Sequence, residues 1–222
     1  MKIEVWGDRA LFTRPEMKVE RVTYEVMTPA AARGIIEAIY WHPGVRWIID
    51  SIQVCNPIRY TNIRRNEVKS KIPTQKVVAA MKNGSGSLYL DTSADRQQRN
   101  SRVLKDVRYI IEAHVEIVPH EPKENGDRIN KNKAMDIISK RLKRGKCFAQ
   151  PYMGCKEFTA YFREFHGDVQ ISRSLIGERD LGFMLYDMDF HEDRTCSPLY
   201  FRAKMVDGLI KVPSPDSTEV YR

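Results

Sequence analysis

One stretch limits the fold more than any other. Over residues 105–118 (KDVRYIIEAHVEIV) the side chains alternate with a period of two. Arg108, Ile110, Glu112, His114 and Glu116 fall on one face, and Tyr109, Ile111, Ala113, Val115 and Ile117 on the other. Such a strand belongs in a sheet with one face packed and one face polar. It also keeps His114 out of the core.

The rest of the chain supplies partners for that strand. Residues 2–12 read as a strand with a bulge or bend at Gly7-Asp8, and residues 19–27 alternate again. Thr28 and Pro29 then open a helix, as N-cap and first helical residue. Ala32, Ile35, Ile36 and Ile39 keep helical spacing, and Pro43 biases His42 away from the helical region, which stops it. Residues 46–57 are strand-like. Residues 58–104 are less regular, basic and polar, broken by Pro73 and Gly84-Ser85-Gly86, with a short strand over 87–90. Residues 119–130 form a polar linker. A helix over 131–144 buries Ala134, Ile137, Ile138 and Leu142 and stops at Gly145. Strands follow at about 155–165, 181–190 and 197–213, with a tight turn at Asp207-Gly208. These elements predict an α+β fold, of which the ferredoxin-like sandwich is one example.

Charge says more about function than about fold. The 222 residues are 42% hydrophobic and 30% charged, an ordinary globular balance, with a net charge of +8. Residues 58–76 hold six Lys or Arg against one acid, 96–108 five against one, and 128–146 eight against one. Residues 177–222 hold six against nine. Solvation alone does not require that asymmetry, whereas a partner that follows a phosphate backbone does. Three solvated basic surfaces are the competing reading. No apolar run approaches the roughly 20 residues of a membrane span, and the first residues alternate like a strand, so a cytoplasmic protein with no membrane partner is expected. Cys55, Cys147, Cys155 and Cys196 contain no C-x-x-C pair and fit no standard zinc finger. Asp187 and Asp189 share a strand face and, with His191, mimic a metal site; a solvated strand face accounts for them better.

Several stretches carry one resemblance. They are Gly7-Asp8-Arg9-Ala10-Leu11-Phe12-Thr13-Arg14-Pro15, Val22-Thr23-Tyr24-Glu25-Val26-Met27-Thr28-Pro29, and Gly34-Ile35-Ile36-Glu37-Ala38-Ile39-Tyr40-Trp41-His42-Pro43. Further on come Arg96-Gln97-Gln98-Arg99, Glu112-Ala113-His114 and Gly154-Cys155-Lys156-Glu157-Phe158. Their order and spacing resemble the CRISPR-associated type I-C "Cas five" family, subtype d, of the RAMP superfamily, from about residue 3 to 212. The resemblance implies a ferredoxin-like domain over residues 1–120, with a basic insertion at about 58–104. A smaller unit over 121–222 would hold a helix and an antiparallel sheet. It implies cofactor-free, metal-independent cleavage of CRISPR repeat RNA at the base of a stem-loop. The product's 5′ tag then stays bound, and the protein joins the interference complex beside its backbone and large subunits.

The resemblance also implies a site. Tyr40 matches the family's tyrosine at the end of the first helix, and His114 its histidine on a later strand. Relatives carry lysine just before the histidine, where this chain has Glu112. Lys105, Lys76 and His42 are open substitutes, and His42 stands where relatives often have lysine. These residue types suit attack of a 2′-hydroxyl on the adjacent phosphate, which leaves a 2′,3′-cyclic phosphate and a 5′-hydroxyl. Histidine titrates near neutrality and serves as base or acid. A tyrosine hydroxyl donates, and a cation stabilises the phosphorane. Ring packing for Tyr40 and an inert surface place for His114 are the plain alternatives.

For RNA binding the candidates are Arg59, Arg64, Arg65, Lys69, Lys71, Arg96, Arg99 and Arg102. Lys140, Arg141, Lys143, Arg144 and Lys146 come second. Cations in a helix's last turn also favour its dipole, which accounts for part of the second group. Tyr60 and Tyr89 offer rings for unpaired bases. A tag-binding subunit that cuts little or not at all, and a general RNA-binding module, are the two competing functions.

Overall fold

The computed structural model describes residues 1–86, 88–119, 129–191, 193 and 195–222. In chain order the elements are β1 (Lys2–Ala10), β2 (Arg21–Val22), α1 (Pro29–Ile39), β3 (Val45–Val54), β4 (Tyr60–Val68), α2 (Thr74–Asn83) and β5 (Arg96–Ile117). Then come α3 (Lys131–Arg144), β6 (Tyr161–Glu164), β7 (Glu178–Phe190), β8 (Cys196–Val206), β9 (Leu209–Lys211) and β10 (Val220–Tyr221). The strands form one sheet in the order β10-β8-β9-β3-β5-β1-β6, with β2 and β4 also on β5 and β7 on β8. Its pairings among the described residues are antiparallel except the two-residue β2–β5 match.

The expected α+β class holds, and β5 organises it. Its C-terminal half lies between β1 and β3, with Ile3 opposite Ile111 and Ile49 opposite Ala113. Val5, Trp47 and Val115 share that face and are buried with them. Ala32, Ile35, Ile36 and Ile39 of α1, with Ala134, Ile138 and Leu142 of α3, complete the same core. Thr28 caps α1 by accepting the Ala31 N–H at 3.2 Å, and Asn130 caps α3 by accepting the Lys133 N–H at 2.9 Å. Gly145, at φ 60°, ends α3 where the sequence places its stop.

Several expectations are corrected. Residues 58–104 are more regular than their composition suggests. They hold β4, α2 and the first half of β5, which leaves the core as a two-stranded ribbon. Both ribbon faces are largely polar, so no hydrophobic alternation announced them. In α2 no residue is buried, so it too lacks an apolar stripe. The expected strand at 87–90 is absent over 88–90, and Ser87 lies outside the described residues. Only Arg21–Val22 of the 19–27 stretch is strand; beyond it the chain is a packed loop, where the Thr23 hydroxyl accepts the Phe12 N–H at 3.0 Å. Gly7 forms no bulge. It stays in register opposite Val107, and a side chain there would meet the Thr159 carbonyl oxygen at 2.9 Å. The strand at 155–165 shrinks to Tyr161–Glu164, and that at 197–213 divides into β8 and β9 at Asp207-Gly208. Both turn residues have positive φ, 49° and 75°, as a two-residue hairpin of the primed type requires. Most of the expected linker, residues 120–128, lies outside the described residues.

Candidate functional site

His114 projects from the sheet face opposite α1 and α3, as its alternation with Ala113 and Val115 dictates. Its side chain is 43% exposed. Nδ1 lies 2.7 Å from Asp50 Oδ1, and Nε2 lies 3.9 Å from Glu116 Oε1. Asp50 reaches it because β3 is irregular there. Ile49 pairs with Ala113 and Ser51 with Glu112, so Asp50 is the extra residue of a bulge. Glu112 accepts from the Ser51 hydroxyl at 3.3 Å and pairs with Lys2 at 3.9 Å. The amino group of Met1 donates to the Ala113 carbonyl at 2.8 Å.

Tyr40 belongs to a different cluster. It ends α1 with extended backbone and is only 5% exposed, inside the helix layer. The Arg141 guanidinium lies 5.2 Å from its ring centroid, and Trp47 Nε1 donates to its carbonyl at 3.1 Å. Burial raises its pKa, so the hydroxyl keeps its proton. That hydroxyl has no hydrogen-bond partner among the described residues. His42 follows in the loop, its Nδ1 accepting the Gly44 N–H at 3.0 Å. Tyr40 thus packs with Arg141 and Trp47, whereas His114 bonds Asp50. Of the other expected substitutes, Lys76 lies on α2, and Lys105 pairs with Asp106 at 3.9 Å.

The basic candidates divide by face. In the ribbon, Asn62 lies opposite Arg102, Arg64 opposite Asn100, and Val68 opposite Arg96. Arg64, Arg96 and Arg102 therefore share one face with Asn62, Asn66, Gln98 and Asn100, and all seven are exposed. Arg102 lies 4.0 Å above the Tyr60 ring, which occupies that ring face. Tyr89 is exposed. Arg59, Lys69 and Lys71 are exposed at the ends of β4. The other face is internally paired. Arg65, 12% exposed, binds Glu157 at 3.2 Å and packs on Phe158, and Arg99 binds Glu67 at 3.3 Å. In α3, Lys140, Lys143 and Arg144 point outward, with Lys146 just beyond. Arg141 turns inward and donates to the Ile39 carbonyl at 2.5 Å, capping α1.

Asp187 is engaged by Arg33 at 2.5 Å, and His191 Nε2 meets the Ser197 hydroxyl at 2.9 Å. Among the described residues no group of three or more His, Cys, Asp or Glu is placed to hold a metal ion. No described helix is long and apolar enough to cross a membrane.

Sequence reading missed three features of the polar face. Lys2 and Asp50 come beside Glu112 and His114 only through strand register and a bulge, which no local pattern encodes. Trp6 and Tyr161 stack across β1 and β6 at 5.9 Å, with the Arg163 guanidinium 5.4 Å from the Trp6 ring. The alternation of residues 2–12 was the one available signal, since it puts Lys2, Glu4 and Trp6 on one face.

Residues 1–213 match the family described as CRISPR-associated protein (Cas_Cas5). A protein of Mannheimia succiniciproducens named CRISPR pre-crRNA endoribonuclease Cas5d is 45% identical over 227 residues, covering 100% of this chain and 98% of that protein. One of Thermus thermophilus with the same name is 36% identical over 239 residues, covering 100% and 95%. A crystal structure described as a CRISPR-associated protein has a TM-score of 0.68 and 21% identity, covering 100% of this chain and 95% of that one, a likeness of fold.

Proposed function

The chain belongs to the CRISPR-associated Cas5d family, and from that premise we propose that it cuts CRISPR repeat RNA without a metal ion and keeps the 5′ tag of the product. The observation that carries the reading is kinship over the whole chain with proteins named pre-crRNA endoribonucleases. The reaction is transesterification. A base removes the proton of the 2′-hydroxyl, that oxygen attacks the neighbouring phosphorus, and the 5′ oxygen leaves with a proton. The products are a 2′,3′-cyclic phosphate and a 5′-hydroxyl. His114 exchanges the proton, since its ring is 43% exposed and an imidazole nitrogen can both accept and donate one. Tyr40, whose hydroxyl keeps its proton, is the donor the resemblance implies; because it lies on the helix side of the sheet and His114 on the other, it acts in the same step only in an RNA-bound arrangement that brings the α1 end to the polar face. Lys2, beside Glu112, brings positive charge to the strand position where relatives carry lysine, and His42 supplies a second donor near the helix end.

On this reading the ribbon face with Arg64, Arg96 and Arg102 follows the RNA backbone, and the α3 cations extend it. Residues 1–120 act as the ferredoxin-like RAMP domain and 121–222 as its smaller companion. The backbone and large subunits of the type I-C interference complex are its protein neighbours. A second reading is favoured by one observation. Asp50, Glu112 and Glu116 surround His114 with negative charge that repels phosphate, as expected of a subunit that holds the tag and cuts poorly.

The test is cleavage of the cognate repeat stem-loop by wild type, His114→Ala and Tyr40→Phe. Loss of a general acid or base costs about 10²–10⁴ in rate. Cutting is expected to fall by that order in both variants, with RNA affinity within about twofold of wild type. Equal cutting by all three proteins contradicts the site.

A further inference from the structure

We propose that Asp50 is a positioning residue for His114, fixing the imidazole so that Nε2 alone exchanges protons with RNA. The inference rests on the catalytic reading of His114 and deepens it. Three observations carry it. The Asp50 carboxylate lies 2.7 Å from Nδ1, a full hydrogen bond. Asp50 is the additional residue in β3 between Ile49 and Ser51, and bulges re-aim side chains beside active sites. The bulge is tied from its other side as well, because the Val212 N–H donates to the Asp50 carbonyl at 3.0 Å. The backbone is thus anchored to the C-terminal end of β9 while the side chain holds the ring.

The consequence is chemical. An ionised carboxylate only accepts hydrogen bonds, so Asp50 selects the form of neutral His114 that carries its proton on Nδ1. The lone pair then lies on Nε2, which takes the 2′-hydroxyl proton. The imidazolium that forms keeps its Nδ1–H on Asp50. Nε2 makes no hydrogen bond to Glu116, whose nearest oxygen is 3.9 Å away, so its lone pair is not taken by that carboxylate. A free imidazole would divide itself between two tautomers and several ring orientations.

The experiment compares Asp50→Asn and Asp50→Ala with wild type and His114→Ala, using single-turnover cleavage, RNA binding and ¹⁵N spectra of the histidine rings. The His114 signals are identified by their loss in His114→Ala. Removing a carboxylate that orients a functional histidine costs roughly 10–100-fold. Cutting should fall by that factor in both Asp50 variants with RNA affinity unchanged. The His114 spectrum should move away from the Nδ1–H form, and Asp50→Asn should add nothing in a His114→Ala background. A cutting loss matched by an equal binding loss overturns the inference, because Asp50 would then act on RNA directly. Asp50 variants that cut like wild type beside an inactive His114→Ala also overturn it, while the catalytic reading stands. A fully active His114→Ala sinks the catalytic reading itself.

Discussion

Glu4 shows how much one side chain on the polar face can hold. It is 2% exposed although it lies on the sheet face opposite the helices. Arg108 donates to it at 2.5 Å, and Arg163 binds its other oxygen. Burial by itself would raise its pKa. The hydrogen bonds and charges of Arg163 and Arg108 outweigh burial and hold it below the ordinary 4.5. A carboxyl with a depressed folded-state pKa contributes stability that is complete above its unfolded value and lost as pH falls through the folded one. Glu4→Gln is therefore expected to cost about 2 kcal/mol at pH 7. Denaturant unfolding should show that cost shrinking as pH drops from 4.5 through the depressed value; a cost independent of pH contradicts the ion pairing. Tyr40 makes the opposite case. Its buried hydroxyl lacks a partner among the described residues, and such a group costs about 1–3 kcal/mol. Tyr40→Phe should keep or raise the melting temperature while cutting falls. A lower melting temperature would show that the hydroxyl is satisfied.

The ribbon of β4 and β5 is the element with the clearest division of labour. Arg64, Arg96 and Arg102 face solvent together, whereas Arg65 and Arg99 are consumed by Glu157 and Glu67. Each phosphate contact to a single strand contributes about 0.7 to the slope of log K against log salt. Replacing the three outward arginines by alanine should lower that slope by about 2, read from RNA titrations across salt concentrations. Arg65→Ala should instead lower stability and leave the slope nearly alone; an unchanged slope in the triple variant removes the ribbon from the interface. Composition marked these arginines as a group but could not separate them, because which side of a ribbon faces out is set by register. The two core helices were legible, since Thr28, Pro29 and Gly145 act through neighbours in sequence; the Asn130 cap was not read. The ribbon and α2 were not, because neither buries an apolar stripe.

For the whole molecule, long-range pairing decides which residues meet. The alternation of residues 105–118 placed His114 on the polar face, and the sheet keeps it there. Its closest companion, Asp50, lies 64 residues away and arrives through a bulge; Lys2 arrives from the first strand. Tyr40 and His114, read as one site from the resemblance, occupy the two sides of the sheet in the free protein. Metal-independent cleavage is therefore best tested on the reaction itself. The purified protein is incubated with its cognate repeat RNA in EDTA, and the product ends are mapped. Cutting is expected at one position, with a 2′,3′-cyclic phosphate and a 5′-hydroxyl, at the rate seen with magnesium present. Cutting that requires a divalent ion, or that leaves a 3′-hydroxyl, contradicts it.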